Sequence, residues 1–167
     1  MQLDILNILA ELERRDVRFV VAGGVAAVLH GRLRMTNDLD LVLDMGDANL
    51  VRAGLAIAAL EYRPRPPVSW QQFCDPTQRM AWQTERNMVV LSLWSERFRA
   101  TELDLFLEPP LPTERLFGNA EVLRLQGVAV PVICIEDLIA CKRIAGRPID
   151  LDDIAALEAI ARSRRPQ

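Results

Sequence analysis

Asp38 and Asp40 are the residues of this sequence best placed to do chemistry. They open the run Asp38-Leu39-Asp40-Leu41-Val42-Leu43, whose alternation predicts a strand. On a strand, residues i and i+2 point to the same side, about 7 Å apart along the chain. Two carboxylates placed so repel each other unless a cation lies between them, while Leu39, Leu41 and Leu43 face the other way, toward a core. That pattern suits a divalent metal at a strand start. Upstream, Phe19-Val20-Val21-Ala22 runs into Gly23-Gly24. A glycine pair between a strand and a helix offers backbone N–H groups with no side chain in the way, which is what a phosphate needs. Metal and phosphate together point to nucleoside triphosphate chemistry. Taken singly, a Gly-Gly is often only a tight turn, and an Asp-x-Asp is often a solvated strand end.

The surrounding pattern supplies the elements that must position these residues. Leu3, Leu6, Leu9 and Leu12, with Ile5 and Ile8, predict an amphipathic helix over 2–15. A strand over 17–22 and a short helix over 24–29 follow, with Gly31 as its C-cap. After the strand at 38–43, a helix runs to about Leu60 with Asp47 at its N-cap. Tyr62 to Pro67 holds three prolines and reads as a loop. One or two short helices occupy 70–86, with Trp82 in the core. Met88–Leu93 and Thr101–Leu107 predict an antiparallel hairpin, in which Asp104 lies opposite Leu103, Leu105 and Leu107. A short helix opens at Pro112. A small hairpin follows, 121–125 and 128–133, with Gly127 in its turn. Helices at 135–145 and 150–162 close the chain, and residues 164–167 read as frayed.

A single domain over 1–167 is expected, with a core at 1–133 and a helical part at 134–167. Half of the residues are hydrophobic and 26% are charged, an ordinary globular balance. Cys74, Cys134 and Cys141 form no Cys-x-x-Cys pair, so reduced thiols and a cytoplasmic location are expected. His30 is the single histidine, which argues against a zinc site. The N-terminus does not read as a signal peptide, and no apolar run reaches a membrane-spanning length. A net charge of −3 argues against a protein that coats nucleic acid.

Gly23-Gly24, thirteen intervening residues and Asp38-Leu39-Asp40 resemble the signature of the DNA polymerase β-like nucleotidyltransferase superfamily. Arg34-Met35-Thr36-Asn37-Asp38 resembles the Arg-x-Thr-x-Asp lead-in of its small bacterial members. The tail is similar to the AbiEii-like branch, which includes toxins of toxin–antitoxin pairs. It comprises Glu136-Asp137-Leu138-Ile139, Lys142-Arg143, Gly146-Arg147-Pro148 and Asp150-Leu151-Asp152-Asp153-Ile154. The resemblance implies an α+β (α/β) fold with a mixed sheet flanked by helices and a C-terminal helix pair. It also implies a third carboxylate on a later strand, which falls on Asp104. Asp38, Asp40 and Asp104 would then be the catalytic residues and the ligands of Mg²⁺ or Mn²⁺. Gly23, Gly24, Arg34 and Thr36 would bind the phosphates of the NTP donor, ATP among them, with Lys142 as a further phosphate candidate. Asp44, Asp75 and Glu102 read as structural, and Arg147–Asp150 or Arg143–Asp153 as salt links fixing the helix pair.

The activity so implied is metal-dependent transfer of a nucleoside monophosphate to an RNA (tRNA-like) or protein hydroxyl, by a toxin with a cognate antitoxin. Two alternatives stand beside it: a small-molecule nucleotidyltransferase of the kind that modifies antibiotics, and a non-enzymatic module that binds nucleotide or a partner. Gly24 replaces the serine that some members carry, so no hydroxyl is available there for the terminal phosphate.

Overall fold

A computed structural model describes residues 3–164. Its frame is a mixed seven-stranded sheet. The strands are β1 (Phe19–Val21), β2 (Asp38–Leu43), β3 (Arg63–Pro64), β4 (Val90–Trp94), β5 (Glu102–Phe106), β6 (Glu121–Leu125) and β7 (Val128–Val132). They lie in the order β3-β4-β5-β2-β1-β7-β6. β2 pairs parallel to β5 and antiparallel to β1, and β1 pairs parallel to β7. The helices are α1 (Leu3–Arg14), α2 (Gly23–Leu29), α3 (Asp47–Ala59), α4 (Trp70–Cys74), α5 (Pro76–Arg86), α6 (Thr113–Gly118), α7 (Ile135–Ala145) and α8 (Pro148–Arg164).

Alternation along the strands sorts the two faces. Phe19, Val21, Leu39, Leu41, Leu43, Leu91, Leu93, Leu103 and Leu105 share one face by register, and all are buried. The hydrophobic core includes these residues together with Ile5, Ile8, Leu9 and Leu12 of α1 and Leu50, Ala53, Ile57 and Leu60 of the α3 segment. The other face, across β2, β5 and β4, carries Asp40, Asp104 and Ser92. Trp82 is 3% exposed and takes the core position its size suggests. No helix among the described residues is long and apolar enough to cross a membrane.

Several local expectations shift by identifiable causes. Val17 leaves the first strand because Asp16 adopts a left-handed backbone (φ 53) that turns the chain out of α1. Gly46, not Asp47, caps α3; Asp44 accepts the Gly46 N–H (2.8 Å) and fixes the turn. The proline-rich stretch is not loop throughout. Arg63 and Pro64 add a two-residue edge strand beside β4, where a missing N–H faces away from the ladder. The short helices expected over 70–86 form as two, divided because Asp75 caps α5 with Pro76 as its first residue. Ser69 starts α4 with a capping box. The Gln126-Gly127 turn has both residues at positive φ (50° and 94°), as a tight hairpin requires. Gln2 and residues 165–167 lie outside the described residues. Arg164, expected to fray, ends α8 and donates to the His30 carbonyl (3.0 Å).

Candidate active site

β2 and β5 run parallel in a register that sets Asp40 beside Asp104. β4 then sets Ser92 beside Asp104. Three polar side chains therefore form a row across three strands, about 4.8 Å from one strand to the next. Asp38 pairs with Glu102 one step earlier and is exposed. Burial, the Asp104 carboxylate beside it and the Asp38 charge push Asp40 up to about 6, although the Gly24 N–H and the Arg147 charge pull the other way. Burial also raises Asp104, which a Ser92 hydrogen bond partly offsets. One oxygen of Asp104, Oδ1, is buried with no hydrogen-bond partner.

The Gly-Gly turn closes over this row. Gly23 has φ +59, and a Cβ there would overlap the Asp40 carboxylate, so only glycine fits on both counts. A Cβ on Gly24 would meet Thr36 Oγ1 at 2.6 Å and Arg34 Nη2 at 2.7 Å. Thr36 and Arg34 thus lie against the turn. The Gly24 N–H bonds to Asp40, and the Ala22 N–H donates to the Asp40 carbonyl (2.9 Å). The turn is therefore built onto the carboxylate as well as beside it.

Behind Arg34 stands a buried ion network on α7 and α8. Arg34 Nη1 donates to Asp153 (2.7 Å), and Arg32 reaches the same carboxylate (3.5 Å). Lys142 bridges Asp153 (2.7 Å) and Asp150 (3.2 Å). Asp150 also binds Arg147 (2.8 Å). Although burial opposes its charge, hydrogen bonds from Arg147 and Lys142 hold Asp150 below the usual carboxylate range.

Asp40, Asp104, Gly23, Gly24, Arg34 and Thr36 are thus brought together. Asp38 stands at the open end, where its charge acts on both Asp40 and Asp104. Lys142 is 4% exposed and engaged by two carboxylates, one layer behind the turn. The Arg147–Asp150 link forms as expected, but Arg143 pairs with Glu158 rather than with Asp153. Arg34, Arg32 and Lys142 fill Asp153 instead, because α8 lies against the α2–β2 loop. Ser92 was not legible as a site residue; only the pairing of β4 with β5 would have indicated it.

The fit to a divalent cation is partial as the side chains stand. Among the described residues, no three His, Cys, Asp or Glu side chains are gathered to hold a metal ion. Two features nevertheless suit one: the orphaned, buried Oδ1 of Asp104, and an Asp40 whose ionised form the Gly24 N–H and the Arg147 charge compensate only in part. A cation against this pair would correct both.

No protein-family model matches the sequence, and no curated protein sequence matches it. The fold is that of the nucleotidyltransferases. Among solved structures, the lincosamide antibiotic adenylyltransferase LnuA, crystallised with lincomycin bound, matches with a TM-score of 0.63 and 16% identity. The match covers 96% of this chain and 98% of that one. The antibiotic-resistance factor ANT(2″)-Ia matches in its solution structure with a TM-score of 0.56 and 16% identity, over 96% of this chain and 90% of that one. Its crystal structure with adenylyl-2″-tobramycin also has a TM-score of 0.56, at 14% identity over 95% and 93%.

Proposed function

We propose that the chain is a metal-dependent nucleotidyltransferase that moves a nucleoside monophosphate from an NTP to a hydroxyl of a small molecule. The observation that carries this reading is the Asp40–Asp104 pair, side by side beneath a Gly-Gly turn that Arg34 and Thr36 flank. Gly23, Gly24, Arg34 and Thr36 bind the phosphates. Asp38 joins Asp40 and Asp104 as the carboxylates that hold Mg²⁺ or Mn²⁺. When bound, the cation supplies charge stabilisation at the attacking and leaving oxygens. The acceptor oxygen bonds to the α-phosphorus as the bond to the β-phosphate bridging oxygen breaks, and pyrophosphate leaves. Asp104 takes the hydroxyl proton. Lys142 serves the phosphates indirectly, by holding the acid pair to which Arg34 is tied.

Two observations support a small acceptor. The match spans nearly all of the lincosamide enzyme, and both antibiotic enzymes hold small molecules in their structures, lincomycin in one and adenylyl-2″-tobramycin in the other. The net charge of −3 does not suit a polyanionic acceptor. Cytoplasmic NTP pools would supply the donor. A second reading, an AbiEii-like toxin that modifies RNA or protein and is held by an antitoxin, has its own support. The tail residues Lys142, Arg147, Asp150 and Asp153 that resemble that branch meet at this site. Pyrophosphate release with each NTP, Mg²⁺ and lincosamide or aminoglycoside acceptors tests the primary reading. Acceptor-dependent release that Asp104→Ala abolishes is the expected outcome. Release that appears only with RNA or protein would replace it with the second reading. NTP binding without release under any acceptor would favour the non-enzymatic module.

A further inference from the structure

Arg147 occupies a one-residue joint. Gly146 ends α7 in a left-handed conformation (φ +63), and Pro148 is the first residue of α8. The backbone is therefore fixed on both sides of Arg147. Its side chain is fixed as well. Asp150, fully buried, accepts the Arg147 backbone N–H (3.2 Å), Nε (2.8 Å) and Nη2 (3.3 Å). Yet the Arg147 side chain is 67% exposed. An arginine paired with an exposed acid is mobile and gains little. Here the acid is buried and also held by Lys142, so the guanidinium is anchored along one edge while the rest faces solvent.

The charge balance shows what that exposed edge offers. Asp150 and Asp153 are two carboxylates, and Arg32, Arg34, Lys142 and Arg147 are four cations bonded to them. The network has a surplus of two positive charges, more than it needs for its own neutrality. Contacts run from it to the site: Asp150 to Lys142, Lys142 to Asp153, Asp153 to Arg34, and Arg34 to the Gly24 turn over Asp40. The Arg147 charge also acts on Asp40, favouring its ionised form.

We propose that Arg147 is a phosphate-binding residue of the NTP site, working with Arg34, and that Asp150 is the residue that positions it. This rests on the nucleotidyltransferase reading. A triphosphate on the Gly-Gly turn brings the negative charge that the surplus would neutralise, and an anchored fork binds phosphate oxygens with little ordering left to do. The helix pair is then part of the donor site rather than an appendix to it.

Calorimetric binding of a non-hydrolysable α,β-methylene NTP with Mn²⁺, and of inorganic tripolyphosphate, tests the assignment. Four proteins are compared: wild type, Arg147→Ala, Arg147→Lys and Arg143→Ala. Arg143→Ala removes the same charge from the neighbouring α7–α8 pair at Glu158, outside the site. Arg147→Ala should weaken both ligands about ten- to a hundredfold, the loss expected for a charge-assisted contact. Arg147→Lys should recover part of it, and Arg143→Ala should bind as wild type does. Thermal melts confirm that each variant folds; if Arg147→Ala does not, Arg147→Lys carries the comparison, with an intermediate loss expected. Unchanged binding by folded Arg147 variants, or an equal loss in Arg143→Ala, overturns the proposal while leaving the transferase reading intact. Failure of the wild type to bind any NTP overturns both.

Discussion

Asp40→Asn should make the metal-free protein more stable at alkaline pH while destroying its activity. Burial and the Asp104 charge raise Asp40 from 3.8 to about 6. At ~1.4 kcal/mol per pH unit, that difference is worth about 3 kcal/mol. The sign follows from linkage. A carboxyl raised in the folded state contributes stability that is fully present below pH 3.8 and lost as pH rises through 6. Above pH 6 the wild type therefore holds an ionised Asp40 at its own expense, and asparagine, which cannot ionise, does not. Asparagine also keeps an oxygen that can accept the Gly24 N–H. Urea denaturation in EDTA, followed by tryptophan fluorescence, should find Asp40→Asn more stable by up to ~3 kcal/mol at pH 8, with the gap closing toward pH 4. Mn²⁺ should stabilise the wild type at pH 8 and leave the variant nearly unchanged. A gap that is absent at pH 8, reversed, or independent of pH would refute the reasoning.

Asp104→Ala should lower transfer at least about a hundred- to a thousandfold with its circular dichroism unchanged. Gly23→Ala should lose both stability and activity, because its Cβ overlaps the Asp40 carboxylate and its φ of +59 disfavours any side chain; a melting temperature equal to wild type would contradict this. Lys142→Met removes the cation shared by Asp150 and Asp153 but leaves Arg147 on the first and Arg32 and Arg34 on the second, so a loss of about 1–3 kcal/mol is expected in chemical denaturation. Trp82→Ala should cost about 3–5 kcal/mol by opening a cavity in the core, while leaving NTP affinity unchanged.

The parts of the fold governed by local pattern were legible. Alternating leucines located β2 and β5 and put Asp38, Asp40 and Asp104 on the face away from the core. The glycine pair fell where the structure needs it, since both positions are crowded by site side chains. What depends on pairing between distant segments was not. Ser92 reaches the site only through the β4–β5 register. Arg63 and Pro64 become a strand because Trp94 and Leu93 offer an edge, a fact absent from their own sequence. The partners of Asp153 also could not be read. Arg143 lies on the adjacent helix, but its neighbour Lys142 takes Asp153 instead, together with Arg32 and Arg34, the latter 119 residues away. Asp47 failed as a cap because Asp44, two residues before Gly46, fixes the turn instead.

The measurement that tests the central claim most directly follows the label itself. The purified protein is incubated with each α-³²P-labelled NTP and Mg²⁺, in parallel with hydroxylated small molecules, total RNA and bacterial protein. The account predicts a labelled small-molecule adduct in one nucleotide lane, lost in Asp40→Asn and Asp104→Ala. Label confined to RNA or protein, or adduct formation that survives both substitutions, would contradict it.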